Sequence, residues 1–263
     1  VLILAVAYFL YNGFPFYIGQ ELYTWALFSG VLHGLYILSL SRAYSTEDIS
    51  YVYPIARSAP AFVPLLAWIF LDEKLNQVIY VAIGLIVTAI YILHFEGKLV
   101  QGFKRLFKAL WHKNLRWAFI TLGLVVSYSL VDKMAMDKFL FYFPDQPFTN
   151  GITFFFLEAA IGFTLCNIFV FNKFSRDEIL KNWSDDWLKA LFAGIATFIS
   201  YGLICFVLQF EQLSAVVSLR QISVLMVVYW GCWKLKEPFG RQRILAGFLI
   251  FFGILLISLS NSE

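Results

Sequence analysis

Apolar residues run along this chain in long blocks separated by polar stretches, rather than alternating with them. A membrane-spanning helix needs about 20 mostly apolar residues. Nine blocks reach or approach that length: 1–17, 22–42, 50–71, 77–95, 116–136, 149–171, 187–209, 214–233 and 244–259. The first is short. Most connections are brief, which makes sequence neighbours antiparallel neighbours in space. Two connections are longer. In 96–115, Leu99, Phe103, Leu106, Phe107 and Leu110 recur at helical spacing, while Lys98, Lys104, Arg105 and Lys108 fall largely on other faces. That pattern predicts an amphipathic helix lying in the membrane interface. The stretch 172–186 mixes Lys173, Arg176 and Lys181 with Asp177, Glu178, Asp185 and Asp186. It predicts a solvated loop or a short surface helix.

Composition turns these blocks into an all-α integral membrane fold. Of 263 residues, 60% are hydrophobic and 14% charged, against about 25% charged in a soluble domain. A soluble fold of this size has no interior large enough for so much apolar side chain, so lipid must be the solvent for much of the surface. The basic residues then set the orientation. Fifteen of the twenty Lys and Arg residues fall on one face of the predicted topology and three on the other; Arg57 and Arg220 lie inside spans. The expectation is a multi-pass protein of the cytoplasmic membrane, with 97–115 and 172–186 cytoplasmic and the C-terminus outside. Topology accounts for the basic clusters, so they carry no nucleic-acid signature. Cys166, Cys205 and Cys232 each sit in an apolar run with no metal-ligand spacing. No metal and no cofactor is expected.

The chain also repeats itself. EDIS at 47–50, a span, LDEK at 71–74 and a further span form one block. EQLS at 211–214, a span, LKEP at 235–238 and a further span form another. A shift of 164 residues lays Glu47 on Glu211, Ser50 on Ser214 and Glu73 on Glu237. Five spans separate Glu73 from Glu237, and an odd number inverts the second unit in the membrane. Inverted repeats are the usual architecture of secondary transporters. The second unit has five spans and the first four, so the expected full bundle has ten helices, the first lying before Val1.

The residues around these blocks are also recognisable. SGVLHGLYILSLSRAY (29–44) followed by DISYVYPIAR (48–57) resembles the EamA module of the drug/metabolite transporter superfamily. VSLRQISVL (217–225) and KEPFGRQR (236–243) are similar to the same segments of its second module, and YSLVDK (128–133) to that module's start. The resemblance implies two inverted five-helix repeats: 1–96 with four of five helices, 97–115 as a linker, and 116–263 with all five. It implies movement of small polar metabolites and leaves the substrate open.

Six ionisable residues sit within the predicted spans: His33, Arg57, Asp132, Lys133, Glu158 and Arg220. Each costs about 2.5–3.5 kcal/mol to insert, so each needs a partner and often has a function. Arg57 and Arg220 are offset by one position under the repeat and lie at similar depths from opposite faces. An arginine fork suits a carboxylate or phosphate, which makes them candidates for an anionic or zwitterionic substrate. The alternative is that each pairs with a carboxylate such as Glu158 to lock helices together. Glu158, near mid-span, is a proton-coupling candidate unless an arginine sits beside it, and Asp132 is a second. Asp132 and Lys133 lie near the outer end of their span, where Lys133 is expected to snorkel. His33, between Gly30 and Gly34, is either an interhelical hydrogen-bonder or a substrate ligand, and the two glycines suit close helix packing. Tyr51 and Tyr53 share a span with Pro54, Pro60 and Pro64, which remove donors and bend it. They and Gln221 complete the candidate substrate site.

The favoured reading is a secondary transporter working by alternating access around a midplane site, as a monomer or homodimer, with a small-molecule substrate and the bilayer as its partners. A lipid or lipid-linked-sugar flippase on the same scaffold is the second, and a non-transporting sensor or assembly protein the third. No HExxH or Ser/His/Asp set points to an enzyme.

Overall fold

The computed structural model describes residues 2–13, 18–46, 55–74, 76–94, 116–222 and 240–260. Among them the chain forms helices and no strand. These are α1 (Leu2–Asn12), α2 (Gln20–Thr46), α3 (Ala59–Leu71), α4 (Gln77–His94), α5 (Arg116–Tyr142), α6 (Pro147–Lys173), α7 (Arg176–Leu208), α8 (Leu213–Leu219) and α9 (Gly240–Ser260). Four carry apolar stretches long enough to cross a membrane: Gln20–Ser45, Arg116–Tyr142, Pro147–Lys173 and Ser184–Leu208. Shorter apolar helices are Ala59–Leu71, Gln77–Ile92 and Ile244–Ile257. The interfacial helix expected at 96–115 lies outside the described residues.

Two boundaries differ from expectation for physical reasons. The stretch 172–186 is neither loop nor separate surface helix. Its middle and end are the first turns of α7, which a capping box at Ser175 starts. The Ser175 N–H donates to Glu178 Oε2 at 2.9 Å and the Glu178 N–H to Ser175 Oγ at 3.3 Å, satisfying donors that a helix start leaves open. The Ser175 backbone, then its hydroxyl, hold the Glu178 carboxyl below its ordinary value of 4.5. A lowered folded-state pKa gives stability that is complete above the ordinary value and is lost as pH falls through the folded value. In thermal unfolding between pH 6 and 3, wild type should therefore lose more of its midpoint than Glu178→Gln does. Parallel curves would contradict this.

The second boundary is the end of α5. The apolar block stops at Met136, just before Asp137 and Lys138, but the helix continues to Tyr142. Both charges are absorbed on its surface. Lys133 Nζ meets Asp137 at 2.6 Å, one turn on, and Lys138 pairs with Glu21 of α2 at 3.1 Å. Asp132 is thereby ten residues from the helix end, about 15 Å along the axis, and not at the rim. Lys133 does not simply snorkel: its Nζ also donates to the Leu208 carbonyl at 2.8 Å, capping the last turn of α7 with positive charge.

The helices group into two compact units, each drawn from both halves of the chain. Unit 1 is Val1–Leu38 with Ser127–Glu211, and unit 2 is Ser39–Val126 with Gln212–Glu263. In unit 2, α4 and α9 pack so closely that a Cβ on Gly253 would lie 2.9 Å from the Ala82 carbonyl. Ala82, Ile86, Ile90, Ala215 and Ile257 fill that core, and α8 packs against α3. The Ser39 and Thr121 hydroxyls are hydrogen-bonded at 2.9 Å, and the Arg42 guanidinium lies 5.2 Å above the Trp117 ring. In unit 1, α6 packs against α7 and α1. Tyr8 and Thr149 share a hydroxyl contact at 3.0 Å, and Asn150 Nδ2 donates to the Gln209 side chain at 3.1 Å.

Candidate functional site

On α2, Gly30, His33 and Gly34 fall at i, i+3 and i+4, one stripe of the helix. On α6, Glu158, Ile161 and Gly162 have the same spacing. The glycines let these stripes touch backbone to backbone. A Cβ on Gly30 would sit 2.7 Å from Ile161 Cβ and 2.8 Å from the Glu158 carbonyl oxygen; one on Gly34 would sit 3.1 Å from the Gly162 carbonyl. This close crossing carries His33 onto Glu158. His33 Nδ1 meets Glu158 Oε1 as an ion pair when the imidazole is protonated. Glu158 is 1% exposed.

Asp132 of α5 is equally buried and lies in the same cluster. Ser29 Oγ of α2 donates to its Oδ1, and Tyr201 OH of α7 donates to its Oδ2 at 2.5 Å. Aromatic rings surround the imidazole. His33 stacks on Tyr128 with centroids 4.5 Å apart and 29° between planes. It meets Tyr36 edge-on at 5.5 Å and Tyr201 edge-on at 5.2 Å. Two carboxylates, one imidazole and three tyrosines are thus brought together from four helices.

Of the sequence-predicted site residues, His33, Asp132 and Glu158 meet here. Arg57, Arg220 and Gln221 belong to unit 2. Glu158 is partnered by His33 rather than by an arginine among the described residues. Arg57 occupies a turn between helical Ile55–Ala56 and the start of α3, with Ser58 at the N-cap. Pro60 fits the first turn of α3, where its missing N–H is not needed. Arg220 and Gln221 occupy a turn after α8. The expected span is therefore interrupted at the repeat-related position too, without any proline. Gln221 is buried, and its Nε2 donates to the Val217 carbonyl at 3.4 Å. Tyr51 and Tyr53 lie outside the described residues.

Sequence reasoning missed Ser29, Tyr36, Tyr128 and Tyr201. Helical projection held a signal for three of them. Ser29 is four residues before His33, Tyr36 three after it, and Tyr128 four before Asp132. Tyr201 has no such local link to the others.

An all-α, multi-pass membrane protein with an acid–imidazole cluster buried in its spans is the class this geometry defines. The sequence model of the EamA-like transporter family matches residues 1–95 and 115–259. The chain belongs to that family, one of membrane transporters in the drug/metabolite transporter superfamily. A comparison with curated proteins returned no match.

Proposed function

We propose that this protein is a secondary transporter that moves a small polar metabolite across the cytoplasmic membrane by alternating access. His33, Asp132 and Glu158 are its proton-coupling centre. The observation that carries this reading is the burial of both carboxylates at 1% exposure against one imidazole, on membrane-spanning helices. Charges at that depth are expensive and persist where a transport cycle uses them. Two neighbouring buried carboxylates repel one another when both are charged, while a protonated imidazole beside them favours their charged forms. A proton taken up from one side then changes which contacts the cluster makes. Arg57 and Arg220, each at an interruption of an expected span, suit the anionic part of a substrate, with Gln221, Tyr51 and Tyr53 as further candidates.

The test is solute flux in proteoliposomes with and without a pH gradient. Glu158→Gln and Asp132→Asn should each cut gradient-driven uptake at least about tenfold, the scale of a lost charge-assisted contact, while exchange without a gradient persists. An undiminished gradient response in both variants would remove the coupling role. Full transport in Arg57→Ala and Arg220→Ala would remove the arginines from the substrate site. Scrambling of labelled lipid by the same vesicles, in place of solute uptake, would instead support a flippase.

A further inference from the structure

Asp132 of α5 ties three helices together at one carboxyl group. Ser29 of α2 donates to its Oδ1 and Tyr201 of α7 to its Oδ2. The two hydroxyls differ in what they can do when that carboxyl gains a proton. The new O–H needs an acceptor. A helical serine can accept it and turn its own hydrogen to the carbonyl one turn back. Thr24, Thr88, Thr121, Thr164 and Ser218 of this chain already make that i−4 bond, at 2.6 to 2.9 Å. The Tyr201 phenol stands at the end of a rigid ring, out of reach of its own backbone, and has no such exchange. It keeps donating to Oδ2, but to a neutral carboxyl in place of a carboxylate. Charge-assisted hydrogen bonds are roughly twice as strong as neutral ones. Protonation therefore leaves the Ser29 bond in place with its roles reversed, and weakens the Tyr201 bond.

The packing around Tyr201 gives that change a lever. The residue is 7% exposed, with its ring 5.1 Å from Phe155 of α6 and 5.2 Å, edge-on, from His33. Two turns further along α7, Lys133 Nζ holds the Leu208 carbonyl at 2.8 Å and pairs with Asp137. Adjacent residues of α5 thus tether α7 at two points, one dependent on the charge of Asp132 and one not. The other titratable groups facing Asp132 are His33 of α2 and Glu158 of α6, which the glycine crossing of those helices holds together. A proton needs no cavity to reach this cluster. The His33 side chain keeps 19% exposure beside two closed-in carboxylates, and an imidazole can pass a proton on. Resting on the coupling role given to Asp132 above, we propose that Tyr201 is the positioning residue that reports the charge of Asp132 to α7. Its hydroxyl holds α7 against α5 while Asp132 is ionised and loosens that hold when Asp132 takes a proton.

The experiment is a double-mutant cycle read by amide hydrogen exchange on the purified full chain in nanodiscs. Tyr201→Phe removes the hydroxyl and keeps the ring, and Asp132→Asn puts an uncharged side chain opposite it. At pH 9, Tyr201→Phe should raise local opening of α7 near residue 201 at least about tenfold, the scale of one bond to a charged group. In the Asp132→Asn background the same change should act at least about threefold less. Factors that agree more closely than that, or unaltered opening in Tyr201→Phe, would overturn the proposal. Exchange in α6 and thermal unfolding separate local opening from loss of the fold. Wild type gives a test without any variant. With intrinsic exchange corrected for, lowering the pH from 9 to 5 should raise opening near Tyr201 more than near Leu208, and an equal change at both tethers overturns the proposal too. Uptake supplies a readout that a merely structural tyrosine would leave unmoved. Removing a donor to the carboxylate makes Asp132 easier to protonate, so the pH profile of gradient-driven uptake should move to higher pH in Tyr201→Phe. If uptake follows the gradient while the cycle is additive, Tyr201 loses this role and the transporter stands. If no solute moves in any of the proteins, the transporter reading falls while the exchange cycle still judges Tyr201.

Discussion

Gly30→Leu should abolish transport and lower the thermal midpoint more than any other single change on α2. The cause is geometric. Even the Cβ of alanine at this position would lie 2.8 Å from the Glu158 carbonyl oxygen, a backbone atom that has no rotamer to change. Helices α2 and α6 must part to admit it. Overpacking of this kind costs about 1–3 kcal/mol for one added carbon, so Gly30→Ala already sits in that range and leucine above it. Because His33 and Glu158 belong to the same two stripes, any separation also opens their ion pair. Loss of activity should therefore exceed what the loss of stability explains. Gly84→Ala is the matched control. A Cβ there meets nothing within 4 Å, and replacing a mid-helix glycine by alanine stabilises by up to about 1 kcal/mol. Thermal unfolding and uptake on the same preparations check both. A Gly30→Ala protein as stable and active as the Gly84→Ala one would mean that the close crossing does not exist.

That crossing also shows what the amino-acid pattern held and what it did not. Helix existence was legible from apolar length alone, and α2, α4 and α6 end within a few residues of where the apolar blocks end. The capping box at Ser175 and Glu178 was also in plain view, but a dense run of charges there read as a solvated loop or a short surface helix. Charges inside the predicted spans stood out in the sequence, and three of them converge. Their convergence was not legible, because it depends on how α2 crosses α6, and that depends on Gly162 as much as on Gly30 and Gly34. A glycine pair on one helix announces a close contact without naming its partner. Proline explains the turn at Arg57, where Pro60 begins α3. The turn at Arg220 has no comparable local cause in the sequence.

Glu73→Ala should destabilise the protein by about 3 kcal/mol, through a contact that the internal repeat marks without explaining. Helix α8 begins at Leu213 after Gln212, whose side chain makes no cap. Its first-turn N–H groups are instead taken by a carboxylate from the end of α3. Glu73 Oε1 accepts from the Leu213 N–H at 2.6 Å, and Oε2 accepts from the Ser214 N–H at 3.3 Å and Ser214 Oγ at 2.8 Å. The preceding Asp72 makes this possible. Its left-handed φ of 53° turns the chain sharply after α3, a conformation aspartate tolerates better than most residues. Glu73 is 7% exposed, so its removal leaves buried donors unpaired beside the positive end of a helix, and hydrogen bonds to a charged group contribute about 1.5–3 kcal/mol each before non-additivity. Glu73→Gln keeps one acceptor oxygen but turns an NH2 toward donors, and should fall between wild type and alanine. Asp72→Gly, which relaxes the turn without touching the cap, should leave stability within about 1 kcal/mol. Chemical denaturation of the purified protein gives the order. In the repeat proposed from the sequence, Glu73 of the first block is the residue that holds Ser214 of the second; their counterparts Glu237 and Ser50 lie outside the described residues. The short helix it anchors leads straight into the Arg220–Gln221 turn. A stable Glu73→Ala protein with normal transport would show that α8 is placed by packing alone. Loss of stability in Glu73→Ala with partial rescue in Glu73→Gln would assign its placement to this carboxylate.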